Sequence, residues 1–405
     1  MIDSVAYLSL HSCPLQQPGV GDAGGMNVYI RELGWAMAEH GTDVVVFTRR
    51  SDELTPEVVA VAPRFRVVHI EAGPRERLPI SEMHDLVAEF AEGTLAWIDQ
   101  HGASFDILHS HYWLSGWAGV LLKEKLGLPL ANSFHTLGRV KDLTRRSDQE
   151  PERPIRTLTE EEVIARSDCV VASTPYEFDD LMEHYSADPA RLCTSPPGIN
   201  HAVFRPGNKR QARSWTGLGD GPVVLFVGRI QPLKSVDVAI EALGMVSDEQ
   251  TRLVVIGGPS GSQGEAEMAR LRALATDAGL AARVHFVPPV DRPRLAAFYQ
   301  AADAVIMPSR SETFGLVAAE AQSCGTPVVA AAVGGLPYII EDGKSGLLVD
   351  GHDPADYAVA LSRVLTDAEL AAALAAGALD HSERFSWDAT VSRFLELYEG
   401  ISAAS

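Results

Sequence analysis

Short apolar runs alternating with amphipathic helical stretches constrain this chain more than any other feature, and they come in two series. The first passes through residues 5–10, a helical pattern over about 27–40, then 44–48, 107–109 and 170–173. The second passes through 223–227, 253–256, 284–287, 304–307 and 328–330, each followed by a helical pattern. Apolar runs of strand length that alternate with helices predict parallel sheets covered by helices. The expected fold class is α/β, with two Rossmann-like domains facing each other across a cleft. Ser195-Pro196-Pro197-Gly198 and Arg205-Pro206-Gly207-Asn208 are rich in turn formers and mark a hinge. The expected division is an N-terminal domain over 1–198 and a C-terminal domain over 199–387. A last helix over 388–405, opened by Phe385-Ser386-Trp387-Asp388, returns to the first domain.

A length of 405 residues suits two or three domains, each able to bury a core. The net charge of -20 argues against nucleic-acid partners and anionic membranes, which basic surface would hold. Any phosphate must then be bound locally. Cys13, Cys169, Cys193 and Cys324 show no metal-type spacing and no dense disulfide framework, which points to a reducing cytoplasm and no structural metal. Residues 1–10 carry no basic leader and read as a strand. No apolar run reaches membrane-spanning length, so no membrane insertion is expected. The oligomeric state stays open, a homodimer included.

The chemistry concentrates where strands end. Glu312 and Glu320 lie eight positions apart in Pro308-Ser309-Arg310-Ser311-Glu312-Thr313-Phe314-Gly315-Leu316-Val317-Ala318-Ala319-Glu320-Ala321. A helix over 313–321 would set Glu312 at its mouth, where free backbone N–H groups attract anions, and Glu320 about two turns further in. Arg229 and Lys234 follow another strand, five positions apart, and suit a diphosphate: the arginine through its planar fork, the lysine as a point charge. Gln17-Pro18-Gly19-Val20-Gly21-Asp22-Ala23-Gly24-Gly25-Met26-Asn27 follows the first strand, and its glycines permit close backbone approach to a ligand. Gly257-Gly258-Pro259-Ser260-Gly261 and Val333-Gly334-Gly335-Leu336-Pro337 follow two more strands, and open parallel sheets bind ligands at that edge. His111, Tyr112 and His135 stand at strand ends of the first half. Lys141, Arg145, Arg146, Arg153 and Arg156 form a basic cluster that reads either as a solvated face or as a receiver for an anionic acceptor.

Together these segments resemble the retaining GT-B glycosyltransferases of family four over essentially the whole chain, carried jointly by Gly228-Arg229…Lys234, the E-x7-E pair and Gly334-Gly335-Leu336-Pro337. His11-Ser12-Cys13-Pro14-Leu15-Gln16-Gln17-Pro18-Gly19, Gly24-Gly25-Met26-Asn27-Val28-Tyr29-Ile30 and His109-Ser110-His111-Tyr112-Trp113-Leu114-Ser115-Gly116 look like the actinobacterial subfamily that glycosylates inositol 3-phosphate in mycothiol biosynthesis. The resemblance implies a retaining hexosyltransferase with UDP-N-acetylglucosamine as donor and 1D-myo-inositol 3-phosphate as acceptor. It places Arg229 and Lys234 on the donor diphosphate, Glu320 on the ribose and Glu312 on the donor sugar. Gly24, Gly25 and Gly315 complete the donor site, and Gly25 approaches the diphosphate from the other domain. His135 faces the donor sugar, which makes Arg229, Lys234, Glu312 and His135 the catalytic set. His11, Asn27, Tyr112, Thr136 and Arg156 match the acceptor site. The family supplies no carboxylate nucleophile, so same-face substitution is expected, with charge on the leaving diphosphate stabilised by the two cations. No cofactor and no essential divalent metal are implied.

One departure bears on the acceptor. Where the family carries a phosphate-binding lysine, the segment Ala72-Gly73-Pro74-Arg75-Glu76-Arg77-Leu78-Pro79-Ile80 ends in isoleucine, leaving Arg75 or Arg77 to compensate. Charge-assisted phosphate contacts are worth roughly 1.5–3 kcal/mol each, enough to change acceptor preference. The alternatives are the same chemistry on an aminocyclitol or a thiol or thione metabolite in specialised metabolism, a sugar-nucleotide epimerase, and a non-catalytic sugar-nucleotide-binding protein.

Overall fold

A computed structural model describes residues 2–147, 149–261 and 263–404. The first half contributes eight strands: β1 (Ser4–Leu8), β2 (Asp43–Arg49), β3 (Val58–Ala62), β4 (Phe65–Ile70), β5 (Ile107–His111), β6 (Leu130–Ser133), β7 (Cys169–Ala172) and β8 (Leu192–Thr194). They form one sheet in the order β3-β4-β2-β1-β5-β6-β7-β8, parallel except for the edge strand β3. The second half contributes β9 (Val223–Val227), β10 (Arg252–Ile256), β11 (Val284–Val287), β12 (Ala304–Met307), β13 (Val328–Ala331) and β14 (Gly346–Val349). Their order, β11-β10-β9-β12-β13-β14, is that of a Rossmann sheet, parallel throughout.

The continuous apolar runs follow from burial on both faces. In β1, Val5 and Tyr7 pack into one core while Ala6 and Leu8 pack into another. In β9, Val224 and Phe226 face one helix layer, Val223 and Leu225 the other. Alternation with polar residues would have left one face wet.

Each sheet reverses its strand order once, between β1 and β5 and between β9 and β12. At such a point the connections leave in opposite directions and open a crevice at the strand C-termini. The segments after these four strands carry the glycine-rich loop, Tyr112, the Arg229/Lys234 loop and Glu312.

The last helix, Trp387–Ala404, packs on the helix Gly25–Glu39. Val391, Phe394 and Tyr398 are fully buried there with Tyr7, Ile30 and Leu33. Burying side chains of this size contributes roughly 1.5–3 kcal/mol each. The chain therefore crosses between the sheets twice, and the two crossings touch. Ile199 pairs with Ser386, and Thr390 Oγ1 donates to the Pro196 carbonyl at 2.8 Å. Gly198 has no room for a side chain, since a Cβ there would stand 2.3 Å from the Trp387 nitrogen. Ser405, the end of the expected helix, lies outside the described residues.

The halves meet directly. Arg292 pairs with Glu32, which also accepts from Asn200 Nδ2 at 3.1 Å, and Arg146 reaches Asp237 at 3.3 Å.

Candidate functional site

The loop after β1 lies across the second domain. Gln17 Nε2 donates to the Pro289 carbonyl at 3.2 Å, and a Cβ on Gly258 would stand 2.5 Å from the Gly19 oxygen. Arg229 Nη1 donates to the Asp22 carbonyl and to Ser260 Oγ, both at 3.4 Å, while Ser260 Oγ donates to Asp22 Oδ1 at 3.3 Å. A Cβ on Gly24 would meet Arg229 Nε at 3.1 Å, and one on Gly25 would meet Leu316 at 3.4 Å. Gly24 thus brings the first domain's backbone close against the arginine.

After β12 the chain turns through 308–315 and enters the helix Leu316–Ser323. The expected helix start at 313 is corrected: Gly315 takes φ +102°, a left-handed conformation that interrupts a helix and suits glycine. Glu312 consequently sits ahead of the helix in an extended turn. It pairs with Lys234 and accepts from Ser309 Oγ at 3.2 Å. Gly335 N donates to the Glu312 carbonyl at 2.8 Å, and Cβ atoms on Gly334 and Gly335 would stand 2.0 Å and 2.2 Å from the Glu312 and Thr313 oxygens. Those two glycines clamp the turn that carries Glu312.

Glu320 is buried. It is 6% exposed within its helix, and Tyr299 Oη donates to its Oε2 at 3.2 Å. Burial pushes its carboxyl up to about 7, against the pull of Arg292.

In the N-terminal domain, His135 (φ +62°) and Tyr112 (φ +78°) hold left-handed backbone, which is uncommon for non-glycine residues and collects at functional sites. His135 Nε2 and His111 Nδ1 share a hydrogen bond of 3.0 Å. Burial drives the His11 and His135 imidazoles down to about 3 and that of His111 well below its usual value, so all three are neutral at pH 7. The His11 ring packs 4.4 Å from that of Tyr112, and the Arg156 guanidinium lies 5.1 Å from the Tyr112 ring centre.

Arg156 is already partnered. Its Nε donates to Glu160 at 2.8 Å, its Nη1 lies 3.2 Å from Glu152, and its Nη2 donates to the Thr136 carbonyl and hydroxyl at 2.9 and 3.1 Å. The basic cluster is accordingly not an open one: Lys141 pairs with Glu152, Arg153 donates to the Ser81 carbonyl, and Arg146 is held by Asp237. Asn27 is likewise committed, its Nδ2 donating to Ser12 Oγ and the Cys13 carbonyl, both at 2.7 Å, and its Oδ1 accepting from Gly24 N at 2.9 Å. It shapes the glycine loop. Arg75, named beside Arg77 as a replacement for the missing lysine at Ile80, pairs with Glu53 at 2.7 Å and Glu71 at 2.9 Å. Arg77 is exposed, and its Nη1 lies 3.6 Å from where a Cβ on Gly21 would stand. Ile80 packs against the first domain's core.

Residues 208–380 match the family described as glycosyl transferases group 1, and residues 23–203 match glycosyltransferase family 4. The D-inositol 3-phosphate glycosyltransferase of Thermomonospora curvata is 45% identical over 98% of this chain and 96% of its own. D-inositol 3-phosphate glycosyltransferase 2 of Catenulispora acidiphila is 47% identical over 97% and 94%. The chain belongs to this glycosyltransferase family. Among solved structures, sucrose-phosphate synthase of Thermosynechococcus elongatus superposes with a TM-score of 0.93 at 32% identity, covering all of both chains. Anabaena HepE in complex with UDP and glucose superposes with a TM-score of 0.78 at 17% identity over 98% and 99%, a likeness of fold. The glycosyltransferase has the GT-B architecture, two parallel-sheet domains with facing strand ends.

Three residues of the cleft lie outside the sets named from sequence: Asp22, Ser260 and Thr313. Asp22 and Ser260 stand in glycine-rich loops already singled out, but their contacts with Arg229 join chain segments far apart in sequence. Thr313 was the neighbour of Glu312, and nothing local announces that it reaches the opposite domain.

Proposed function

We propose that this glycosyltransferase moves N-acetylglucosamine from UDP-N-acetylglucosamine, with retention, to 1D-myo-inositol 3-phosphate, a sugar transfer of mycothiol biosynthesis. The observation that carries the transfer chemistry is the convergence of Arg229, the Lys234–Glu312 pair and the Gly24-Gly25 loop at the two facing switch points. Arg229 and Lys234 stabilise charge on the departing diphosphate, the term that usually dominates such catalysis. The neutral His135 is suited to hydrogen bonding with the sugar and not to supplying a proton at pH 7. With no carboxylate assigned as a nucleophile, the acceptor hydroxyl attacks on the face the diphosphate leaves, and its proton passes to the leaving phosphate oxygen. The names of the full-length relatives support the acceptor, as does Arg156 beside Tyr112 and Thr136.

A second reading, an unphosphorylated cyclitol, aminocyclitol or thione acceptor, is favoured by a specific observation. Ile80 is apolar, Arg75 is tied to two carboxylates, and Arg156 is flanked by Glu152 and Glu160. A phosphate monoester brings about two negative charges at neutral pH. Incubation with UDP-N-acetylglucosamine and each acceptor separately, followed by mass spectrometry, decides between them. Product with inositol 3-phosphate supports the first reading; product only with unphosphorylated acceptors supports the second; UDP-sugar returned unchanged with all of them contradicts both.

A further inference from the structure

Thr313 is the point where the donor-side turn is registered on the acceptor domain. Its Oγ1 donates to the His135 carbonyl at 2.6 Å, and its own carbonyl accepts from Thr174 Oγ1 at 3.4 Å. Both partners belong to the first domain: His135 follows β6, and Thr174 caps the helix Pro175–Tyr185, its side chain accepting from Glu177 N. From the other side, Gly335 leaves no space behind Thr313, since a Cβ there would stand 2.2 Å from the Thr313 oxygen. The residue is therefore fixed in its own domain and gripped at two atoms by the other. His135 holds left-handed backbone, a conformation that costs of order 1–3 kcal/mol and persists only where surroundings over-determine it.

We propose that Thr313 is a positioning residue, whose hydroxyl holds the strained His135 loop in register with Glu312 when the two domains close. The side chain acts through the His135 backbone and touches no reacting atom. Its neighbour Glu312 pairs with Lys234, so the same turn that carries the donor-site carboxylate also sets the acceptor-domain loop. Closure and alignment of the two half-sites become one event.

Thr313→Val removes the hydroxyl at nearly constant shape, and Thr313→Ser keeps it; Thr313→Ala serves if valine is not accommodated. In hydrogen–deuterium exchange on the full chain, the valine variant should exchange residues 134–137 about two- to ten-fold faster, as loss of one net hydrogen bond implies, while the serine variant stays near wild type. Turnover with UDP-N-acetylglucosamine should fall by a similar factor in the valine variant, with UDP affinity by calorimetry unchanged and serine restoring the rate. Equal exchange in the valine and serine variants overturns the inference. A loss of UDP affinity as large as the loss of turnover does too, because it would make Thr313 a donor contact. Only the turnover arm rests on the proposed glycosyl transfer: a wild type inactive with every acceptor counts against that reading, and the exchange comparison still decides for or against Thr313.

Discussion

Lys234 and Glu312, carried by the segments after β9 and β12, form an ion pair where the two strand ends of the C-terminal domain meet. Neither is fully exposed, and Ser309 Oγ donates to the same carboxylate oxygen. Removing either partner therefore strips a charge from the site and leaves the other without its counter-ion.

Arg229→Ala and Lys234→Ala should each lower kcat by roughly 10²–10³, the cost of removing one preorganised transition-state donor. Because Lys234 and Glu312 touch, the double variant Lys234→Ala/Glu312→Gln should lose less than the two single losses multiplied. Steady-state kinetics on the four proteins of this cycle gives the coupling, and strict multiplicativity would falsify it.

Gly335→Ala is expected to be a severe activity variant in a folded protein. Gly335 has φ −77°, so alanine meets no backbone penalty, but its Cβ would stand 2.2 Å from the Thr313 oxygen. The turn that carries Glu312 must shift, and a displacement of about 1 Å costs on the order of 10²-fold in rate. Kinetics alongside a thermal melt separate the effects; near wild-type turnover would mean that the turn does not need this clamp.

Glu320 should write a pH dependence into stability. Its carboxyl rises from 4.5 to about 7 on folding, because burial penalises its charge. A group raised in the folded state contributes stability that is fully present below its unfolded pKa and is lost as pH climbs through the folded one. The stability of wild type relative to Glu320→Gln should thus decline between about pH 4.5 and 7 and then level off. Urea melts of both proteins across that range report the difference. Glu177, also raised to about 7 by burial, acts in the same direction and cancels in the comparison.

Ile80→Lys tests the proposed acceptor. A lysine there adds a charge-assisted contact worth roughly 1.5–3 kcal/mol to a phosphorylated acceptor, about ten- to a hundred-fold in KM, and little to an uncharged one. Competition between inositol 3-phosphate and inositol, followed by product mass, gives the ratio directly. An unchanged ratio would place residue 80 outside the acceptor's reach.

Local chemistry was legible, and long-range pairing was not. Arg229, Lys234, Glu312 and the glycine loops could be placed because strand ends follow from apolar runs, and parallel sheets present those ends together. The helix start failed by three residues, since the decisive term was the left-handed backbone at Gly315 and not any side-chain pattern. Arg156 and Arg75 were placed at the acceptor site without their partners, although the signal for those partners was present in the spacing. Glu152 and Glu160 stand four residues either side of Arg156, and Glu71 stands four before Arg75. The contacts of Asp22 with Arg229 and of Thr313 with His135 depend on how one sheet faces the other, which no local pattern encodes.

The paired crossings at Ile199 and Ser386 make the connection between the lobes a door hung on two pins. A single peptide linker would leave the lobes free to twist as well as swing, and each closing stroke would have to search for its alignment. Two crossings bridged side by side, with Gly198 pressed on the Trp387 backbone, restrict twisting more than one connection would. The final helix is then as much a bearing as a cover. A change at that end of the chain therefore bears on how the two lobes are joined, even though no residue of the cleft has been touched.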